Sequence, residues 1–390
     1  MTALAAPAPW RMQDGLRYGL LGLPLAFCAL PLYVLMPHLY AQERHVSLAA
    51  LGAVLLGARL LDALIDPLLG RLCDRWFAQS LSTVLHRCAW AAVALAWGFA
   101  CLFMPPDLAP DTLLWWAAGS LAWTYTAFSA LTLAHQSWGA MLGGDALQRS
   151  RVVAWREGLG LLGVVLASVT SSLLGVPVML VLLWLALGAG WWAWSTAPRP
   201  APLASEEVVV AAPVSLWHPW QQLAFRRLLA VFMLNGIASA IPATLVLFFV
   251  QDRLQGSEAL QSAALGLYFV CAAASMPLWL RAVAYLGLAR SWAMGMGLSV
   301  LVFLGASQLG AGDGALFLIV CAFSGAALGS DLALPGAMLA GLIHDAGDRG
   351  RADGAYFGWW NFATKLNLAL AAGLALPLLG WLGYAPGARD

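Results

Sequence analysis

Residues Arg59-Leu-Leu-Asp62-Ala-Leu-Ile65-Asp66-Pro67-Leu-Leu-Gly70-Arg71-Leu-Cys73-Asp74-Arg75 set an arginine and two carboxylates into a run otherwise apolar enough to cross a membrane. A charge at bilayer depth costs roughly 2.5–3.5 kcal/mol on insertion scales, so intramembrane charges are usually kept for ion or substrate handling. Arg59, Asp62 and Asp66 stand at i, i+3 and i+7, which puts all three on one face of a helix. Lys365, the only lysine in the chain, lies about eleven residues into another apolar stretch, too deep to snorkel easily.

Composition agrees. Of 390 residues, 62% are hydrophobic and only 10% charged, with a mean hydropathy of +0.79. Soluble domains carry about 25% charged residues, so the chain reads as an all-α integral membrane protein. A net charge of +1 offers nothing to a nucleic acid. Six cysteines without a C-x-x-C pair read as small core hydrophobes and not as disulfides or metal ligands. No G-x-x-x-x-G-K-[ST], H-E-x-x-H or G-x-S-x-G occurs. ATP drive, catalytic residues and a metal site are therefore not expected, and an enzyme is not the reading. Tyr18–Tyr40 lacks a cleavage site and reads as a retained span.

Spans of ~20 apolar residues fall near 18–40, 47–70, 84–104, 112–142, 152–174, 177–196, 228–250, 259–280, 291–310, 315–343 and 354–384, eleven in all. The hydrophilic connection 197–226, with Glu206-Glu207, separates an N-terminal six-helix bundle (1–196) from a C-terminal bundle of five (227–390). With the N-terminus cytoplasmic, that side receives fifteen arginines, Arg156 among them, and the other side only Arg44, Arg253 and Arg389. This positive-inside bias orients the chain in a bacterial-type inner (plasma) membrane. Asp145-Ala-Leu-Gln-Arg149-Ser-Arg151 precedes span five, and Asp345-Ala-Gly-Asp348-Arg349-Gly-Arg351 precedes span eleven. Both read D-A-x-x-R-x-R at equivalent places of two halves, which favours six-helix repeats.

At Arg59–Arg75 the sequence resembles the glycoside–pentoside–hexuronide:cation symporters, the melibiose-permease-like branch of the major facilitator superfamily. Tyr125-Thr126 in span four, Gly329-Ser-Asp331-Leu-Ala-Leu-Pro335 in span ten, and Arg351-Ala-Asp-Gly-Ala-Tyr-Phe-Gly with Lys365 in span eleven carry the likeness further. The resemblance implies a major facilitator fold of two six-helix repeats. It also implies a cation site at Asp62, Asp66 and Thr126, and a cytoplasmic latch at Asp74 and Arg75. Ile65 replaces the family's asparagine, which weakens a Na⁺ site more than a proton site. Ala26 and Ser129 stand where the permease has sugar-binding aspartates, and Leu133 stands at its tryptophan, whereas the span-five arginine is retained as Arg156. Family members continue into a twelfth helix after the segment resembling Gly383–Pro386, so the last helix is expected to be missing and the C-terminus to lie outside.

The expected protein is a cation-coupled secondary transporter, using H⁺ before Na⁺ and no other cofactor. It moves a small polar solute, sugar-like or amphiphilic, by alternating access as a monomer in the lipid bilayer. Lysolipid transport, or a non-transporting assembly or sensing role, are the alternatives. Arg59, Lys365 and Asp331 are charge-pair or gating candidates, with Lys365 expected to pair with Asp62 or Asp66. Arg156, Ser129, Tyr125, Trp138 and Trp360 are the solute-contact candidates. His135 reads as a satisfied polar core residue. Trp115, Trp116, Trp191, Trp192 and Trp194 read as interfacial anchors.

Overall fold

The computed structural model describes residues 10–44, 46–201 and 214–381. Its first rod is broken into α1 (Met12–Gly19), α2 (Gly22–Phe27) and α3 (Met36–His38), with π-helical turns at Pro31–Leu35 and Leu39–Glu43. Pro24, Pro31 and Pro37 each remove a backbone donor along this rod, which accounts for its irregular winding. There follow α4 (Leu48–Gln79), α5 (Leu81–Phe103), α6 (Pro110–Met141), α7 (Ala146–Leu173) and α8 (Gly175–Ser195). After the short α9 (His218–Gln221) come α10 (Leu223–Phe248), α11 (Glu258–Leu286), α12 (Leu288–Ala306), α13 (Gly314–Asp345) and α14 (Asp353–Trp381).

Among the described residues, eleven long rods thus match the eleven spans read from the sequence. Nine helical segments among the described residues are long and apolar enough to cross a membrane. The α6 and α14 helices equal them in length, at 32 and 29 residues, but intersperse Trp, Thr and other polar residues. Glu206-Glu207, Arg389 and the segment 382–390, on which the missing-helix expectation rests, lie outside the described residues.

The α4 helix shows how lipid inverts the usual amphipathic pattern. Its buried stripe is Ala58, Asp62, Asp66, Gly70 and Cys73, small or polar at helical spacing. Leu56, Leu60, Leu64 and Leu68 face outward. Hydrocarbon is as apolar as leucine, so only polar and small groups gain by turning inward. Local chemistry sets the helix starts. Ser80 Oγ accepts the Thr83 N–H at 3.0 Å and begins α5. Asp145 Oδ1 accepts the Gln148 N–H at 2.7 Å and begins α7. Each cap satisfies a donor that the first helical turn leaves orphaned.

By packing, the chain divides into two units: residues 1–221 with 340–361, and residues 222–339 with 362–390. The loop end of α13 and the start of α14 pack within the first unit. There α1 and α2 lie against α7 and α8, α4 against α6, and α5 against α6 and α8. Gly163 lets α7 touch the Leu23 backbone, where any Cβ would strike the Leu23 carbonyl oxygen. In the second unit Val250, Leu254, Ala264, Leu309, Phe317 and Cys321 form an apolar cluster. The Trp279 indole there donates to the Ala326 carbonyl at 2.7 Å, fastening α11 to α13.

Candidate functional site

Asp62 and Asp66 lie one turn apart on the buried stripe of α4, and Asp66 is wholly inaccessible. The Ser129 hydroxyl of α6 donates to Asp62 Oδ1 at 2.9 Å. The resemblance implies Thr126 beside these carboxylates. Thr126 is exposed, and its hydroxyl donates to the Ala122 carbonyl of its own helix at 2.7 Å. The rotation of α6 about its axis turns position 129 toward the α4 carboxylate. Ser129, read as a solute contact, is thereby engaged with Asp62. Arg59 sits at the exposed edge of the same face, 3.9 Å over the centre of the Tyr33 ring, and also reaches the Tyr125 hydroxyl. The ring's electron-rich face holds the cation in place.

Below this face α4 meets the start of α14 almost without side chains between them. A Cβ at Gly70 would strike the Gly354 carbonyl oxygen, and one at Gly358 would strike the Asp66 carbonyl. Asp74 closes the contact. Its two carboxylate oxygens accept the Gly354 N–H at 2.6 Å and the Ala355 N–H at 2.9 Å. A carboxylate from α4 therefore caps the positive N-terminus of α14. Arg75, its sequence neighbour, is exposed.

The D-A-x-x-R-x-R repeat becomes geometric at the same end. The Arg349 guanidinium donates to the Met141 carbonyl at the end of α6. Arg149 lies against Gly341, which stands 200 positions after Met141. The two arginines thus lie at matching positions, Arg349 bonded to the end of α6 and Arg149 beside α13 while donating to the Gly144 carbonyl at 3.2 Å. A further trio closes this region. Asp348 accepts from His218 Nε2 at 2.9 Å and from the Tyr356 hydroxyl at 2.7 Å. The Trp359 indole donates to the Leu216 carbonyl at 2.9 Å. Sequence reading missed the trio, whose only trace was Asp348 inside the second repeat motif.

Other candidates take different places. Trp138, expected to contact solute, is fully buried, its indole donating to the Pro198 carbonyl at 3.0 Å and packing 5.3 Å from Trp194. Trp194 itself, read as an interfacial anchor, belongs to this aromatic core. Trp115 and Trp192 are exposed as anchors would be. His135 is buried in the core as expected, its Nε2 meeting the Tyr18 carbonyl at 2.8 Å and its ring tilted against Tyr18 at 4.4 Å, but its Nδ1 has no hydrogen-bond partner among the described residues, so it is only half satisfied. Arg156, counted with the loop arginines, is half-buried within α7. It bonds Glu157 at 2.6 and 2.9 Å and reaches the Tyr18 hydroxyl. Glu157 went unnoticed, although a carboxylate inside predicted span five was its signal. Tyr125 and Trp360 are buried in the first unit. Asp331 accepts from the Trp292 indole at 2.7 Å and bonds Asn235, tying α13 to α12 and α10. Lys365 is half-buried on α14 in the second unit.

The sequence profile of the family described as MFS/sugar transport protein matches residues 16–390. No curated protein matches the sequence. Among solved structures, the chain is similar to FucP, a major facilitator transporter in its outward conformation, with 14% identity over 97% of this chain and 93% of that one and a TM-score of 0.67. A bacterial homologue of the iron transporter ferroportin, outward-facing with soaked iron, matches at 14% identity, 96% and 93% coverage, and TM-score 0.66. The human organic anion transporter MFSD10 matches at 17% identity, 96% and 95% coverage, and TM-score 0.67. At such identities these likenesses speak for the fold, and the profile match speaks for the family. The chain belongs to the MFS/sugar transport protein family: it is a multi-pass membrane transporter of the major facilitator fold, and not an enzyme.

Proposed function

We propose that the protein is a proton-coupled secondary transporter that moves a small polar solute, sugar-like or amphiphilic, by alternating access, its arginine-rich end facing the cytoplasm across an inner membrane. The observation that carries this reading is the buried pair Asp62 and Asp66 on one face of α4, with Asp62 held by Ser129. A hard cation such as Na⁺ needs several oxygen ligands. Ile65 contributes none, and the Thr126 hydroxyl is directed to its own helix. A proton needs one carboxylate oxygen. Uptake into proteoliposomes is therefore expected to follow an imposed pH gradient equally well with and without Na⁺. A strict Na⁺ requirement at fixed pH would overturn the proton assignment.

Ser129 supplies a second test. Removing its hydroxyl leaves a buried carboxylate short of a donor, a loss of about 1.5–3 kcal/mol for a bond to a charged group. Ser129→Ala should lower proton-driven accumulation by an order of magnitude or more, while Ser129→Thr, which keeps a hydroxyl, should retain most of it. Equal activity in both variants would remove Ser129 from the coupling site.

A second reading is an amphiphile such as a lysolipid: positions 26 and 129 hold alanine and serine, so neither offers a carboxylate to a sugar's hydroxyls, and the Ser129 hydroxyl is already engaged with Asp62. Thermal-shift measurements with monosaccharides, disaccharides and lysophospholipids distinguish the two: stabilisation by lysophospholipids alone would replace the sugar reading.

A further inference from the structure

A groove of about 420 Å³ opens between α5 and α6, within the ~300–1,000 Å³ range of small-molecule sites. Trp97, Trp115, Trp116 and Trp123 form its walls, with Gly119 and Ser120 between them. It lies at the end of these helices joined by 104–109, where Arg44 pairs with Asp107, and opposite the arginine-rich end. From Trp115 to Trp123 it runs along α6 for about 12 Å at 1.5 Å per residue. It therefore starts near the level of the helix ends and descends toward the hydrocarbon.

The wall chemistry restricts the occupant. The Trp116 indole N–H is donated to the Cys101 carbonyl and that of Trp123 to the Ala94 carbonyl, both at 2.9 Å. These bonds satisfy the two donors and fix the rings as slabs. The remaining lining is two glycines, Cys101 and Ser120, with no charged residue among them. Trp97, Trp115 and Trp123 are 62%, 81% and 57% exposed on helices that cross the bilayer, so membrane lipid is the medium in contact with them. Hydrocarbon gains little by merely leaving lipid, but a slot between rigid rings multiplies dispersion contacts along an extended chain.

We propose that this groove is a binding site for one acyl chain of a membrane phospholipid, held lengthwise between the α5 and α6 tryptophans. The inference is independent of the transported solute and of the coupling ion. Gly119 provides a discriminating variant, because a Cβ built there meets nothing within 4 Å. Gly119→Leu introduces a side chain between these walls from a Cβ that meets nothing, and replaces a helix-weakening glycine.

The test reconstitutes the full-length protein in phosphatidylethanolamine–phosphatidylglycerol vesicles containing a trace of phospholipid with a diazirine on its acyl chain. Adducts are mapped by mass spectrometry after irradiation. Labelling is expected to concentrate on 97–123 relative to the exposed α12 stripe of Val300, Leu301 and Leu304. In Gly119→Leu it should fall to the α12 level. Trp97→Ala removes the opposing wall at an exposed position and should produce the same loss, so the test does not depend on one variant folding. Equal labelling of the groove and the α12 stripe in the parent protein, or undiminished labelling in both variants, would overturn the proposal.

Discussion

Asp66→Asn is expected to abolish accumulation of solute against its gradient while leaving the protein in the membrane and able to exchange solute down a gradient. Asp66 is the inaccessible member of the α4 pair, and its backbone abuts Gly358 so closely that the segment has little room to relax. Asparagine has nearly the same shape, so this packing is preserved. It cannot take up and release a proton, so the step linking solute movement to the pH gradient is lost. Membrane insertion should not suffer, because an amide is less costly than a carboxylate at bilayer depth. The check compares pH-gradient-driven uptake with solute counterflow in the same proteoliposomes. Counterflow should persist while the accumulation ratio drops to unity. A mutant that still concentrates solute would show that Asp66 is not the coupling carboxylate.

Replacing Asp74 should loosen the arginine-rich end in a graded order, Asp74→Ala more than Asp74→Asn. Asp74 accepts two backbone N–H bonds at the start of α14. Bonds to a charged acceptor contribute on the order of 1.5–3 kcal/mol each, and an amide retains one neutral acceptor. Alanine removes both and leaves the first turn of α14 uncapped beside the Gly70–Gly354 contact, which has no side chains to compensate. Amide hydrogen exchange at 354–358 should accelerate by roughly tenfold or more in Asp74→Ala and by less in Asp74→Asn, since protection reports local opening. Exchange at the second-unit cluster around Phe317 should be unaffected. Unchanged protection at 354–358 in both variants would mean that the contact does not hold this end closed.

The sequence by itself determined the rods, because an apolar run long enough for a bilayer leaves helix as the form that satisfies its own backbone. It also determined which side of α4 carries Asp62 and Asp66, since the 3.6-residue period relates positions on one helix without reference to any neighbour. The matching arginines of the two repeat motifs were legible as well, being short and local. Tertiary structure alone decided which residue of α6 meets Asp62. A difference of three positions in register exchanges Thr126 for Ser129, and both are hydroxyls in an apolar run. It also decided that Trp138 packs in an aromatic core, that Arg156 of α7 joins its neighbour Glu157 and Tyr18 of α1, and that Asp348 gathers His218 and Tyr356. These contacts join residues up to 138 positions apart, and they depend on the axial rotation and shift of whole helices. In lipid those are set by close glycine packing and polar pairing, which no single helix encodes in its own periodicity.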